Sequence, residues 1–218
     1  MLNFAQEILL LTLDDEKKEF RKMPRETIQA VLAGSLLMEL AFAHRIDTDL
    51  ESLTVVDSTP TGDPLMDDIL NRLQASDASR STASWVMELS VEMQDLRDRV
   101  LNSLVQKGVL KIEDRKVLWV FSRRRYPLMD NKEIKEVRTR LRELIASGDI
   151  PDPREAVLIG LINSCGLLDS LFDEYELARH MPRVNQLAKL ELMGRDVDRS
   201  VENIYQAMAS HYRNRSIE

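Results

Sequence analysis

Apolar positions along this chain recur mostly at three- and four-residue intervals, the spacing of one helix face. Phe4, Ile8, Leu11 and Thr12 predict a first helix over residues 4–13, with Asn3 as its N-cap and the charged run 14–18 as its solvated end. Pro24 suits the first turn of a long helix reaching about His44. Ile28, Val31, Leu32, Leu36, Leu40 and Ala43 form its main face. Leu37, Met38, Ala41 and Phe42 widen that face almost all the way round. A helix apolar on every side belongs at the centre of a bundle.

Ile46 and Val55-Val56 flank a polar tract and predict a short irregular hairpin over 46–57. Asp63 then caps, and Pro64 opens, a helix to about residue 75 with Leu65, Ile69 and Leu73 on one face. A polar loop at 77–84 leads to a long helix over 83–107, with Leu89, Met93, Leu96, Val100 and Leu104 in its stripe and Gly108 at its end. Residues 109–112 and 117–121 read as the strands of a β-hairpin about a turn at 113–116. Asp130 and Glu133 predict a capping box for a helix to about residue 146. Further helices are expected at 153–163, 168–178, 182–192 and 197–213. No repeat, low-complexity tract or linker divides the chain. Residues 1–218 are therefore read as one mainly α domain with a β-hairpin.

Composition narrows the class. At 218 residues and 44% hydrophobic, the chain has enough apolar mass for a real core. Cys165 is the only cysteine, so no internal disulfide forms, and a reducing compartment is the default. It lies in an apolar stretch and reads as a small buried side chain. The densest apolar stretches, 31–43 and 156–168, are too short to span a bilayer. Residues 1–7 lack the basic start of a signal peptide. The expectation is a cytoplasmic protein. A net charge of −7 argues against nucleic acid as a partner. Any affinity for an anionic surface then needs a local basic patch.

Catalytic constellations are thin. His44, His180 and His211 stand far apart, with no second ligand at metal spacing. No Gly-rich phosphate loop and no nucleophile elbow is present. Glu39, a carboxylate in apolar company, is read as a paired residue at the helix rim in preference to a catalytic acid. Asp57, Asp63, Asp67 and Asp68 are read as caps and helix-dipole partners in preference to a cation site. No enzyme, metal or cofactor is expected.

The hairpin carries more information. The run 117–121, with Leu118, Trp119 and Phe121, is followed by Arg123, Arg124 and Arg125. Three readings stand level: a buried strand beside a solvated charge run, an apolar tip entering a membrane interface, or a subunit contact. A second basic set, Arg21, Lys22 and Arg25, precedes the long central helix. Arg97 and Arg99 form a third. If the helices meet, these sets build one anion pocket.

An ordered series of stretches resembles the Golgi phosphoprotein 3 family across nearly the whole chain. The series runs from Glu7-Ile8-Leu9-Leu10-Leu11-Thr12-Leu13-Asp14 through Leu32-Ala33-Gly34, Glu39-Leu40-Ala41 and Pro60-Thr61-Gly62-Asp63. It continues with Leu104-Val105-Gln106-Lys107-Gly108-Val109-Leu110, Tyr126-Pro127-Leu128 and Ala156-Val157-Leu158-Ile159. The resemblance implies a compact helical domain around a central bundle, with the hairpin projecting. It implies peripheral binding to phosphatidylinositol 4-phosphate on Golgi membranes, protein cargo and coatomer as partners, and a hairpin used for membrane insertion and self-association. The family's headgroup pocket uses a Trp before the central helix, a basic residue within it and two on the helix before the hairpin. These positions fall at Pro24, Ala33, Gln94 and Arg97, so only Arg97 is retained. The headgroup site expected here is Arg97 with Arg21, Lys22 and Arg25 as replacements. The contact surface expected is Leu118, Trp119, Phe121 and Arg123 to Arg125. The leading function is a peripheral-membrane adaptor for anionic phospholipid; the alternative is a soluble interaction or oligomerisation module that binds no lipid.

Overall fold

In the computed structural model, which describes residues 1–14, 19–48, 52–76, 80–117, 121–130 and 132–190, helix α1 (Phe4–Leu11) is buried along its whole length. The predicted N-cap is present as a reciprocal box. The Gln6 N–H donates to Asn3 Oδ1 at 2.9 Å, and the Asn3 N–H donates to Gln6 Oε1 at 3.0 Å. Around α1 pack α2 (Arg25–Phe42), α5 (Leu96–Gln106), α6 (Lys132–Ala146) and α7 (Pro153–Ser164). Two helices therefore share the centre. α2 is buried nearly all round, as its pattern predicts, with Leu32, Leu36, Leu37 and Leu40 at 0% exposure. Each such leucine contributes about 1.5–3 kcal/mol. α2 ends where His44 turns into the left-handed region at φ 53° and the Arg45 N–H reaches back to Leu40 O at 2.9 Å.

Among the described residues there are eight α-helices and three two-stranded antiparallel sheets. The hairpin predicted at 46–57 is β3 (Ile46–Thr48) with β4 (Leu53–Val55). α3 (Pro64–Gln74) starts at the predicted cap, Asp63 Oδ1 accepting the Leu65 N–H at 2.9 Å. α7 has its own capping box, Asp152 with Glu155. Asp130 Oδ1 accepts the Lys132 N–H at 2.9 Å at the start of α6.

Four expectations need correction. First, the end of α1 is followed by a strand pair, β1 (Leu13–Asp14) with β2 (Glu19–Phe20), which the charge run concealed. Residues 15–18 lie outside the described residues.

Second, the helix expected over 83–107 is two helices, α4 (Thr82–Glu92) and α5, broken at Met93 with ψ 63°. A continuous helix would bond the Arg97 N–H to the Met93 carbonyl. Instead the side chain of Gln29 stands between them. Its Oε1 accepts the Arg97 N–H at 3.2 Å, and its Nε2 donates to Met93 O at 3.1 Å and Gln94 O at 2.7 Å. A side chain inserted into the backbone ladder is a physical cause of a kink.

Third, the projecting hairpin is shifted along the chain. Its strands are β5 (Glu113–Val117) and β6 (Phe121–Arg125), so the predicted turn at 113–116 is strand, and the apolar run is not one strand. The same register continues to the base, where Leu110 faces Leu128. There the Lys111 N–H bonds Pro127 O, and the Met129 N–H bonds Val109 O. Buried Val109 and Leu110 anchor that base. The register sets Glu113 opposite Arg125, Asp114 opposite Arg124 and Arg115 opposite Arg123.

Fourth, the helices expected at 168–178 and 182–192 are a 3-10 turn, Leu168–Ser170, and one helix, α8 (Glu174–Leu190), that runs through Pro182. Asp173 Oδ1 caps α8 by accepting the Glu176 N–H at 2.8 Å. The helix expected at 197–213 lies outside the described residues.

Candidate functional site

Arg21, Lys22, Arg25 and Arg97 come together in one place. They line a cavity of about 420 Å³ whose other walls include Thr12, Phe20, Met23, Gln29, Gln94 and Asp98. The strand pair brings in the first two cations, because the Arg21 N–H bonds Thr12 O at 2.7 Å and so ties β2 to the end of α1. The first turn of α2 supplies Arg25. The break before α5 supplies Arg97. Four cations face one acid, Asp98, in a chain whose net charge is −7.

The four are not equally free. Arg21 is held by both oxygens of Asp169, at 2.7 and 2.9 Å. Arg25 donates to Gln94 O at 3.0 Å. Lys22 is exposed at the rim. Arg97 is half-buried, with its guanidinium carbon 5.1 Å from the centroid of the Phe20 ring. Among the described residues it has no carboxylate within ion-pair distance. Loss of water around it pulls its pKa below the usual arginine value, opposed by Asp98 and Tyr126. A desolvated cation without a counter-ion is electrostatically incomplete.

A second cavity, about 780 Å³, shares Thr12, Phe20, Arg21 and Lys22 with the first. Asp14, Glu19 and Asp169 balance Arg138 and the two shared cations there, so its charge is mixed. Of the family headgroup positions, Pro24 lies exposed at the start of α2, and Gln94 and Arg97 line the cavity. Ala33 is sealed in the core at 0% exposure. Arg99, read with Arg97 from sequence, points elsewhere and pairs with Asp68 at 2.5 Å.

Of the expected contact surface, Leu118 and Trp119 lie outside the described residues. Phe121, Arg123, Arg124 and Arg125 form the backbone of β6. At the hairpin base Ile112 and Met129 are exposed.

The carboxylates weighed as a catalytic acid or a cation site have structural partners. Glu39 takes Arg154 at 2.8 and 3.0 Å and accepts the Phe4 N–H at 2.9 Å. Asp63 caps α3, and Asp67 accepts the Thr61 N–H and hydroxyl at 2.6 and 2.7 Å. Asp57 pairs with Arg45, and Asp68 pairs with Arg72 and Arg99. Among the described residues no group of His, Cys, Asp or Glu could hold a metal ion, and no helix is long and apolar enough to cross a membrane. Cys165 is buried at the end of α7.

Phe20 and Gln29 are parts of the cavity that sequence reasoning missed. A signal existed for Gln29: it is the amide one turn after Arg25 on a helix otherwise apolar almost all round.

A helical domain with a projecting β-ribbon and a basic cavity under its kinked helix is the class these features define. The model of the family described as Golgi phosphoprotein 3 (GPP34) matches residues 4–204. The chain belongs to the Golgi phosphoprotein 3 family. It is also similar to vacuolar protein sorting-associated protein 74 of Eremothecium gossypii, 25% identical over 170 residues, which is 68% of this chain. The aligned region is 50% of that relative, so the chain spans about half the length of the curated protein it matches.

Proposed function

We propose that this chain is a peripheral-membrane adaptor that takes an anionic phospholipid headgroup in the cavity between Phe20 and Arg97. The observation that carries the reading is the guanidinium of Arg97, half-buried and with no carboxylate within ion-pair distance among the described residues. A phosphate entering the cavity supplies the missing counter-ion, and Arg25 and Lys22 stand on the same walls. The cavity, at about 420 Å³, is large enough for a sugar-phosphate headgroup. Phosphatidylinositol 4-phosphate, the lipid that family membership brings forward, is the first to test, and protein cargo is the second partner of such an adaptor.

Flotation with phosphatidylcholine vesicles, alone or carrying phosphatidylinositol 4-phosphate or phosphatidylserine at matched charge, tests the reading. Wild type is expected to float with the anionic vesicles, and Arg97→Ala to bind about fivefold more weakly. Equal binding to neutral vesicles, or an Arg97→Ala variant that binds like wild type, would sink it. A second reading, self-association through the hairpin without lipid, is favoured by exposed Ile112 and Met129 at its base. Light scattering across a concentration series reads that out directly.

A further inference from the structure

We infer that Gln29 is the positioning residue of this cavity, setting Arg97 in place by holding open the break between α4 and α5. The inference rests on the headgroup reading above. Gln29 is 2% exposed, on the face of α2 that meets the break. All three polar bonds of its amide go to main chain there: one from the Arg97 N–H and two to the carbonyls of Met93 and Gln94. The amide is bifunctional, and the site needs both functions. Its oxygen replaces a carbonyl, and its N–H groups replace an amide, on the two sides of one interrupted helical bond. No charged or apolar side chain of that length does both.

The N-cap of α5 shows why this matters. Asp95 occupies the cap position, but its side chain makes no capping bond. Leu96, the first residue of α5, keeps a local bond to Met93 O at 2.9 Å, but the Arg97 N–H is satisfied by a residue of another helix. Arg97 takes its position from that contact, and Phe20 holds its guanidinium from the β1–β2 side. One turn earlier on α2, Arg25 reaches the same Gln94 carbonyl. If the amide is removed, the Arg97 N–H loses its acceptor, and the nearest replacement on the ordinary helical ladder is the Met93 carbonyl, which already takes the Leu96 N–H at 2.9 Å. Each residue on a helix is rotated about 100° from the last, so re-closing the ladder over the break swings Arg97 off the cavity wall. Gln29 itself is neutral, so its loss changes no charge at the membrane-facing surface.

A double-mutant cycle on vesicle binding tests this. Gln29→Met keeps the length and removes every hydrogen bond. With vesicles of phosphatidylcholine carrying phosphatidylinositol 4-phosphate, Gln29→Met is expected to lose about fivefold, as Arg97→Ala does. The double variant should lose no more than either single one, because Gln29 acts through Arg97. A residue that merely stabilises the fold gives losses that multiply, and that result overturns the inference. So does wild-type binding by Gln29→Met beside a weakened Arg97→Ala, which leaves the headgroup reading intact. Wild-type binding by Arg97→Ala removes both. If Gln29→Met does not fold, Gln29→Asn, one methylene too short to span the break, replaces it in the same cycle with the same outcomes.

Discussion

Glu7 is 3% exposed, yet it keeps Arg140 at 2.7 Å and Arg154 at 3.9 Å. Burial pushes its pKa above the usual glutamate range, and the two arginines only partly offset that. The folded chain thus holds the Glu7 proton more tightly than the unfolded chain does. The associated stability is fully present below the usual glutamate range and is lost as pH rises through the folded value. Glu7→Gln has no proton to lose. Its urea midpoint is expected to exceed that of wild type at about pH 7, and the gap should close near pH 4. His44 offers a second test at this scale. It holds φ 53° where glycine is favoured, so His44→Gly should stabilise by about 1 kcal/mol in the same titration. Single residues were legible in the sequence where their partners are local. Asp63 and Asn3 declare themselves as caps within three positions. Gln29 does not, because its partners lie 64 to 68 residues further on.

Elements were legible wherever one signal dominated, and misplaced where two competed. The helix stripe through Leu89, Met93 and Leu96 is real, but periodicity cannot register a side chain inserted from α2. At the hairpin, the polar run 113–116 looks like a turn when taken alone. Its residues instead pair across the ladder with residues 122–125 of β6, in the register that the anchored base continues. Pro182 misled in the same way. It reads as a helix start, but Asp173 had already capped α8, and Val184 and Leu187 at 0% exposure hold the helix together beyond the proline. A proline inside a helix removes one backbone bond and crowds the preceding turn. Pro182→Ala is therefore expected to stabilise by about 1 kcal/mol or more, read as a higher urea midpoint at unchanged slope.

At the scale of the whole molecule, the mainly helical class and the central place of α2 could be read from apolar periodicity. The cavity could be read only as a set of scattered cations whose convergence is tertiary. That convergence creates a conflict of charge. The chain carries −7 overall, while the cavity wall sets four cations against one acid. On the headgroup reading proposed above, an anionic vesicle repels the molecule at long range and attracts one face of it at contact. Salt separates the two. The Debye length falls from about 30 Å at 0.01 M to about 10 Å at 0.1 M and about 3 Å at 1 M. The first step screens the long-range repulsion and spares contacts made with half-buried Arg97. The second reaches the exposed cations, Lys22 and Arg25, as well. Binding to anionic vesicles is expected to rise and then fall as salt increases, with Arg97→Ala lowering the whole curve. A basic patch on a positively charged protein would fall from the start, and a monotonic fall here would mean that the cavity is not the membrane-binding face.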